Sequence, residues 1–209
     1  MFQTVARWVQ RCDRVSVALA VGTACGVILG SATAAVAVNP EHLQQLLDTN
    51  ECPDCDLRDA DLRRISLAGA NLAGANLAGA NLYRSYLAGA NLAGADLTFT
   101  NLSHANFESA NLVGAIFVRA LMDHANFTAA DLTEADLRDS YIHKTEFTSA
   151  TLIRANLDGT LVHDIDLTNA QLCGMTLWSG ADYRQACYIE DLELLTEGED
   201  DLVRDAEAE

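Results

Sequence analysis

From Leu57 onward every fifth residue carries a large apolar side chain, and the series reaches Leu177 without an insertion: 25 units, 18 of them centred on Leu and the rest on Phe, Met, Ile or Val. Neither regular element suits this period. On an α-helix five residues advance the side chain by about 500°, so these residues would spiral around the rod and share no face. On a straight strand, positions five apart point to opposite sides. One core can receive all of them only if the chain bends once per unit, which describes a solenoid.

A second column supports this reading. Two residues before the centre stands Ala in 16 of the 25 units, with Ser or Thr in most of the others. This position is also expected inside, where a methyl group lets adjacent turns approach closely; the larger Ile65, Ile165 and Met175 fall in the first and last stretches. Asn or Asp precedes the centre in 15 units, and such a side chain can bond the local backbone at a corner. Gly follows two after the centre in eight units, another corner preference.

Longer recurrences give the number of units per turn. Phe107, Phe127 and Phe147 are 20 apart, as are His104 and His124, and His143 and His163. Four units per coil would stack each set and would set Arg119 beside Asp139, Arg138 beside Asp158, and Arg154 beside Glu134. The units then make about six coils, ~30 Å long at ~4.8 Å per coil.

The stretch "ADLRRISLAGANLAGANL" and its continuation resemble the A-(D/N)-L-x-x pattern of the pentapeptide-repeat family over residues 55–179. The resemblance implies an all-β solenoid, a right-handed quadrilateral β-helix with the central residue and the preceding small residue inside. The segment "ECPDCDLRDADL", after a short helix and an export signal, is similar to exported pentapeptide-repeat proteins of cyanobacteria and thylakoid lumens.

Both ends of such a solenoid need covering, because unpaired strand edges invite aggregation. Asn39-Pro40 fits an N-cap with Pro at the first helical position, and Leu43, Leu46 and Leu47 form a stripe, so residues 38–54 are expected to supply an α-helical cap. The period breaks at Asp182. Ile189, Leu192 and Leu195 at helical spacing give a second cap over residues 180–196, followed by an acidic tail over 197–209.

Arg7, Arg11 and Arg14, the uncharged run Val15–Leu29 and Ala35-Val36-Ala37 read as an export signal over residues 1–37. The alternative is an uncleaved membrane anchor over residues 15–37, the chain's single route to a membrane. The expected location is therefore a thylakoid lumen or periplasm. A chain beginning at Val38 would carry 10 Lys+Arg against 29 Asp+Glu, a net of −19, which argues against a nucleic-acid partner.

Cys52-Pro53-Asp54-Cys55 suits a local disulfide, or a bridge from one of these cysteines to the first coil, better than a zinc or redox site, which lacks its usual context. Cys173 and Cys187 are candidates to tie the last coil to the second cap. The register also sorts exposed positions by side, and one side differs. The side centred on Leu62, Leu82, Leu102, Met122, Ile142 and Val162 carries His104, His124, His143 and His163, with Arg64, Arg84 and Lys144, and an exposed trio Leu121, Tyr141 and Leu161. This face, with His143 and His163 beside the trio, is the candidate interface for a protein partner or a second copy. The four histidines with Asp123 or Asp164 are the candidate metal ligands, although no second shell is evident and no cofactor is expected. Catalytic motifs are lacking, so the chain reads as a non-enzymatic exported binding or structural module. A DNA mimic that protects a topoisomerase, which other pentapeptide-repeat proteins suggest, and a metal-binding protein are the alternatives.

Overall fold

Each repeat turns the same corner. In the computed structural model, which describes residues 38–176, the Ala75 N–H donates to the Leu72 carbonyl at 3.0 Å, and of the two residues between them the second, Gly74, has φ +66°. A positive φ at the third residue of a four-residue turn is the mark of type II geometry. All 25 residues at this position, from Asp54 to Gly174, have positive φ, yet only eight are Gly. The conformation therefore belongs to the position rather than to glycine, and each other side chain adopts it against a penalty of roughly 1 kcal/mol.

The Asn and Asp column completes the corner. In all 15 units that carry one, its Oδ1 accepts from the backbone N–H two residues on, as Asn76 does from Ala78 at 3.0 Å and Asn106 from Glu108 at 2.7 Å. The backbone groups that remain pair between turns. Every isolated bridge joins parallel residues 20 apart, from Glu51 with Asn71 to Asn156 with Thr176. Leu72 N–H donates to Asn91 O on the next turn at 2.7 Å and Asn71 N–H to Asn50 O on the preceding one at 3.0 Å, so each central unit bonds to the turns on both sides.

Three units extend this bridge into true strands: β1 (Leu121–Asp123), β2 (Tyr141–His143) and β3 (Leu161–His163), which form a parallel sheet in the order β1-β2-β3. The register sets Leu121 against Tyr141 and Tyr141 against Leu161. Here Leu or Tyr stands in place of Asn or Asp on three successive turns, so apolar side chains lie beside one another along the sheet, whereas Tyr86 and Ile116 have polar neighbours on the adjacent turns and form only isolated bridges.

Inside, the central residues and the small residues two before them form one continuous core. Phe107, Phe127 and Phe147 stack with ring centroids 5.0 and 5.2 Å apart, and Phe117 meets Phe127 edge-on at 6.0 Å. Ile65 and Ile165 pack against the core while remaining partly exposed. Buried hydroxyls in the small-residue column donate to carbonyls, Ser85 to Leu82 at 2.6 Å and Thr160 to Leu137 at 2.9 Å, whereas the Ser140 Oγ has no partner.

The helix α1 (Pro40–Thr49) forms where expected, with the Asn39 side chain accepting from the Glu41 and His42 N–H groups and Asn50 closing the helix at φ 60°. Leu46 enters the core and Leu43 packs against it, but Leu47 is 49% exposed, so the expected three-leucine stripe is corrected to two. Leu47 lies one residue beyond Leu46, about 100° around the axis, and the buried side is too narrow to include it. The Asp56 N–H donates to His42 Nδ1 at 2.8 Å, which ties the helix to the first turn. Cys52 and Cys55 are joined by a disulfide with Cα atoms 5.4 Å apart. The export segment at 1–37, Cys187, the second cap over 180–196 and the tail over 197–209 lie outside the described residues. Among the described residues no helix is long and apolar enough to cross a membrane.

Two of the three expected ion pairs between turns form, Arg119 with Asp139 at 3.7 Å and Arg154 with Glu134 at 2.6 Å. Arg138 does not reach Asp158. It forks instead onto Asp136 within its own repeat, Nε to Oδ1 at 2.8 Å and Nη2 to Oδ2 at 2.7 Å. Arg58 on Asp56 and Arg63 on Asp61 do the same. The tripeptide Asp-Leu-Arg thus closes locally, because its outer residues project from the same side around the buried Leu and a fork fits a carboxylate. The Arg58 fork holds the Asp56 carboxyl down to about 2, against an ordinary 3.8.

Phe127→Ala is expected to destabilise the fold by ~3–5 kcal/mol in denaturant titrations, since it opens a cavity between two stacked rings. Ser140→Ala goes the other way, raising stability by ~1 kcal/mol, because it removes a buried hydroxyl without a partner and installs the commonest residue of that column. For Asp56, carbon NMR should place the carboxyl midpoint near 2, and Arg58→Gln should return it towards 3.8. The folded value lies below the unfolded one, so the pair's stabilising contribution is complete above the unfolded value and is lost as pH falls towards 2.

Candidate functional site

Four faces surround the core, and their outward positions are fixed by the register. On the face centred on Leu62, Leu82, Leu102, Met122, Ile142 and Val162, three columns run along the solenoid axis. The residues before the centres give the apolar column Leu121, Tyr141 and Leu161, in direct register through β1, β2 and β3. Leu161 is 62% exposed, and Leu121 and Tyr141 are each more than one-third exposed. Other exposed large apolar residues of the repeats, Tyr86, Phe99, Val113 and Ile116, occupy four different columns and do not stack.

The residues after the centres bring Asp123 and His143 together. Asp123 Oδ1 lies 2.6 Å from His143 Nδ1 and 2.9 Å from His124 Nδ1. The His143 hydrogen bond lowers the Asp123 carboxyl, partial burial opposes it, and His124 adds to the lowering. In the corner column the His104 and His124 rings stack at 4.9 Å, and His124 meets His143 edge-on at 5.7 Å. Tyr83 abuts His104 at 5.7 Å and lies under the Arg84 guanidinium at 5.1 Å. Three of the four sequence-predicted histidines are thereby assembled. His163 pairs with His143 through the backbone register, but its ring does not join the cluster.

His104, Asp123 and His124 could each offer one donor atom to a cation, all within 4.8 Å of one another. Asp164, the other expected carboxylate, is not in this group. The set is loose for zinc, whose tetrahedral bonds of ~2.0–2.1 Å hold their donors within about 3.4 Å. Arg84 and Lys144 occupy the adjoining rungs of the same column, and their charges oppose a cation. The donors fit a soft metal poorly without a shift of side chains and backbone.

One feature of the corner column was not legible from residue types alone. The described residues include eight Lys and Arg, of which Arg58, Arg63, Arg119, Arg138 and Arg154 form ion pairs. Arg64, Arg84 and Lys144, all on this face, form none among the described residues. The Asp-Leu-Arg tripeptide is the signal that could have separated the two groups, since it identifies three of the paired arginines directly.

The model of pentapeptide repeats matches the chain in eight copies, over residues 55–92, 80–118, 90–128, 100–139 and 120–159. Among solved structures, a pentapeptide repeat protein from the cyanobacterium Cyanothece is 29% identical, with 62% of this chain and 96% of that one covered and a TM-score of 0.49. HetL, a pentapeptide repeat protein involved in heterocyst differentiation regulation in the cyanobacterium Nostoc, is 30% identical over 63% of this chain and 65% of its own, with a TM-score of 0.40. A pentapeptide repeat protein of the Arabidopsis thaliana thylakoid lumen is 25% identical over 55% of this chain and 66% of that one, with a TM-score of 0.28. No curated protein matches. Pentapeptide repeat proteins form right-handed quadrilateral β-helices and are generally structural or binding modules. The repeats, the corner geometry and the matched residues together place this chain in the pentapeptide-repeat family.

Proposed function

We propose that this chain is a non-enzymatic, exported protein-binding module whose partner on the histidine face is a second copy of itself. The carrying observation is the column Leu121–Tyr141–Leu161, the one place among the described residues where exposed large apolar residues stack in register. Its order is palindromic. A two-fold axis through Tyr141 brings each Leu121 onto the copy's Leu161, as a closed, self-complementary contact requires. His143 and His163 flank the column and provide polar partners at its rim. In this reading the repeats make about six coils, with α1 over the first and a second helix from residues 180–196 over the last.

Charge weighs against the DNA-mimic reading. Residues 55–180 hold 14 acids and eight bases, and four of the bases, Arg63, Arg64, Arg84 and Lys144, lie on one face, whereas a mimic of a duplex needs continuous negative charge. An export segment also separates the protein from DNA.

Sedimentation of the purified protein is expected to show a concentration-dependent dimer, and Tyr141→Ser with Leu161→Glu should render it monomeric while leaving its melting temperature within a few degrees. A wild-type protein that stays monomeric at high micromolar concentration overturns self-pairing.

A further inference from the structure

We propose that Arg64 and Arg84, with the depression beside them, receive the acidic stretch that follows Gly180 in a second copy of this chain. The inference rests on the self-pairing proposed above and extends that interface beyond the apolar column. The two-fold axis that brings Leu121 onto the partner's Leu161 runs along the strand direction at the level of Tyr141. Each column therefore meets itself in reverse order, and a residue lying before Tyr141 faces the level equally far after it on the partner.

The columns of the described residues suit this order. Asp123, one coil before the axis, meets the partner's His163, one coil after it, and His124 meets the partner's Asp164. Both columns thus set an imidazole against a carboxylate, twice over by symmetry. Lys144, at the level of the axis, meets the partner's Lys144, but the corner position holds both ammonium groups at the rim, where water and salt screen them.

The same order carries the two arginines past the partner's repeats. Arg84 and Arg64 stand three and four coils before Tyr141, whereas on this face the described residues end one coil after it, at Asp164. By the 20-residue count the next unit on this face would open at residue 181, and there the period breaks, at Asp182. Opposite Arg84 and Arg64 the partner therefore offers the residues that follow its repeats, over a distance of one to two coils, ~5–10 Å. Residues 180–209 hold 11 acids and two arginines, a net of −9.

Charge and shape agree with such an occupant. Arg64 and Arg84 form no ion pair among the described residues, although the chain is strongly acidic. Arg64 borders a depression of about 390 Å³ that it shares with Asp61, Arg63 and Tyr83. The Asp61 carboxylate there is already held by the Arg63 fork, and Arg84 lies over the Tyr83 ring at 5.1 Å. Two guanidinium groups on adjacent coils are thereby left to accept carboxylates from outside, a match that their planar fork favours.

Sedimentation of full-length chains with reversed charges tests this. Arg64→Glu with Arg84→Glu, and separately Glu199→Lys with Asp200→Lys and Asp201→Lys, should each raise the dimer dissociation constant at least about tenfold and leave the melting temperature within a few degrees. Arg64→Gln with Arg84→Gln, which only removes charge, should act in the same direction by a smaller factor. An equimolar mixture of the two reversed variants should dimerise as the wild type does, because each reversed group then meets its opposite on the other copy. Arg119→Gln with Arg154→Gln, on other faces, should change nothing. A wild-type monomer overturns self-pairing and this contact together. A wild-type dimer that neither the reversed nor the Gln variants weaken overturns the contact and keeps the self-pairing. Variants that weaken the dimer without rescuing one another place the acidic stretch on its own chain, or the arginines on another partner, and overturn the exchange between copies.

Discussion

The whole solenoid depends on one conformational constraint: a left-handed residue in every fifth position. That residue lets the chain turn a corner, and the turn lets the next apolar side chain point to the same axis as the last. Removing the turn from the repeat leaves a period that no helix or strand can bury. Fifteen Asn and Asp side chains lock the other flank of the corner by bonding to the backbone two residues on, so turn and counter-turn are both specified by short local hydrogen bonds. Long-range order follows from addition of these local decisions, in the nearest-neighbour manner of repeat proteins.

How much of this the sequence discloses depends on where a residue points. Inward positions are strongly determined, since Leu and Ala must fit between turns about 5 Å apart, and the Phe107–Phe127–Phe147 stack was legible from spacing alone. The four-unit coil was legible for the same reason, and the bridges of 20 residues follow it throughout. Outward positions obey weaker rules. Arg138 had two carboxylates within reach, and register alone favoured the one on the next turn, while the fork geometry of its own repeat prevailed. Leu47 was misplaced because a ten-residue helix presents a buried side barely two leucines wide.

The site was legible as a composition and not as an arrangement. Counting residues by face singled out the histidines and the apolar trio. It could not show that Asp123 draws His124 and His143 together while leaving His163 apart, because side-chain length and rotamer decide those contacts. Nor could it show which bases remain without an ion pair. That property emerges only when every neighbouring acid has been assigned, and it sets Arg64, Arg84 and Lys144 of the corner column apart from the paired bases of the other columns.

The fixed period also makes direction around the axis a function of length. Four repeats return the chain to the same face one coil further on, so loss or gain of 20 residues would shorten or lengthen every column and keep its composition. A change of five residues would instead rotate everything beyond it by a quarter turn. The hydrophobic interior would survive, since each repeat supplies the same Leu and Ala, but Tyr141 and Leu161 would be carried to a different side from Arg64 and Arg84. For this fold, small insertions act as rotations of the surface, and a face that combines residues from distant repeats records an unbroken count between them.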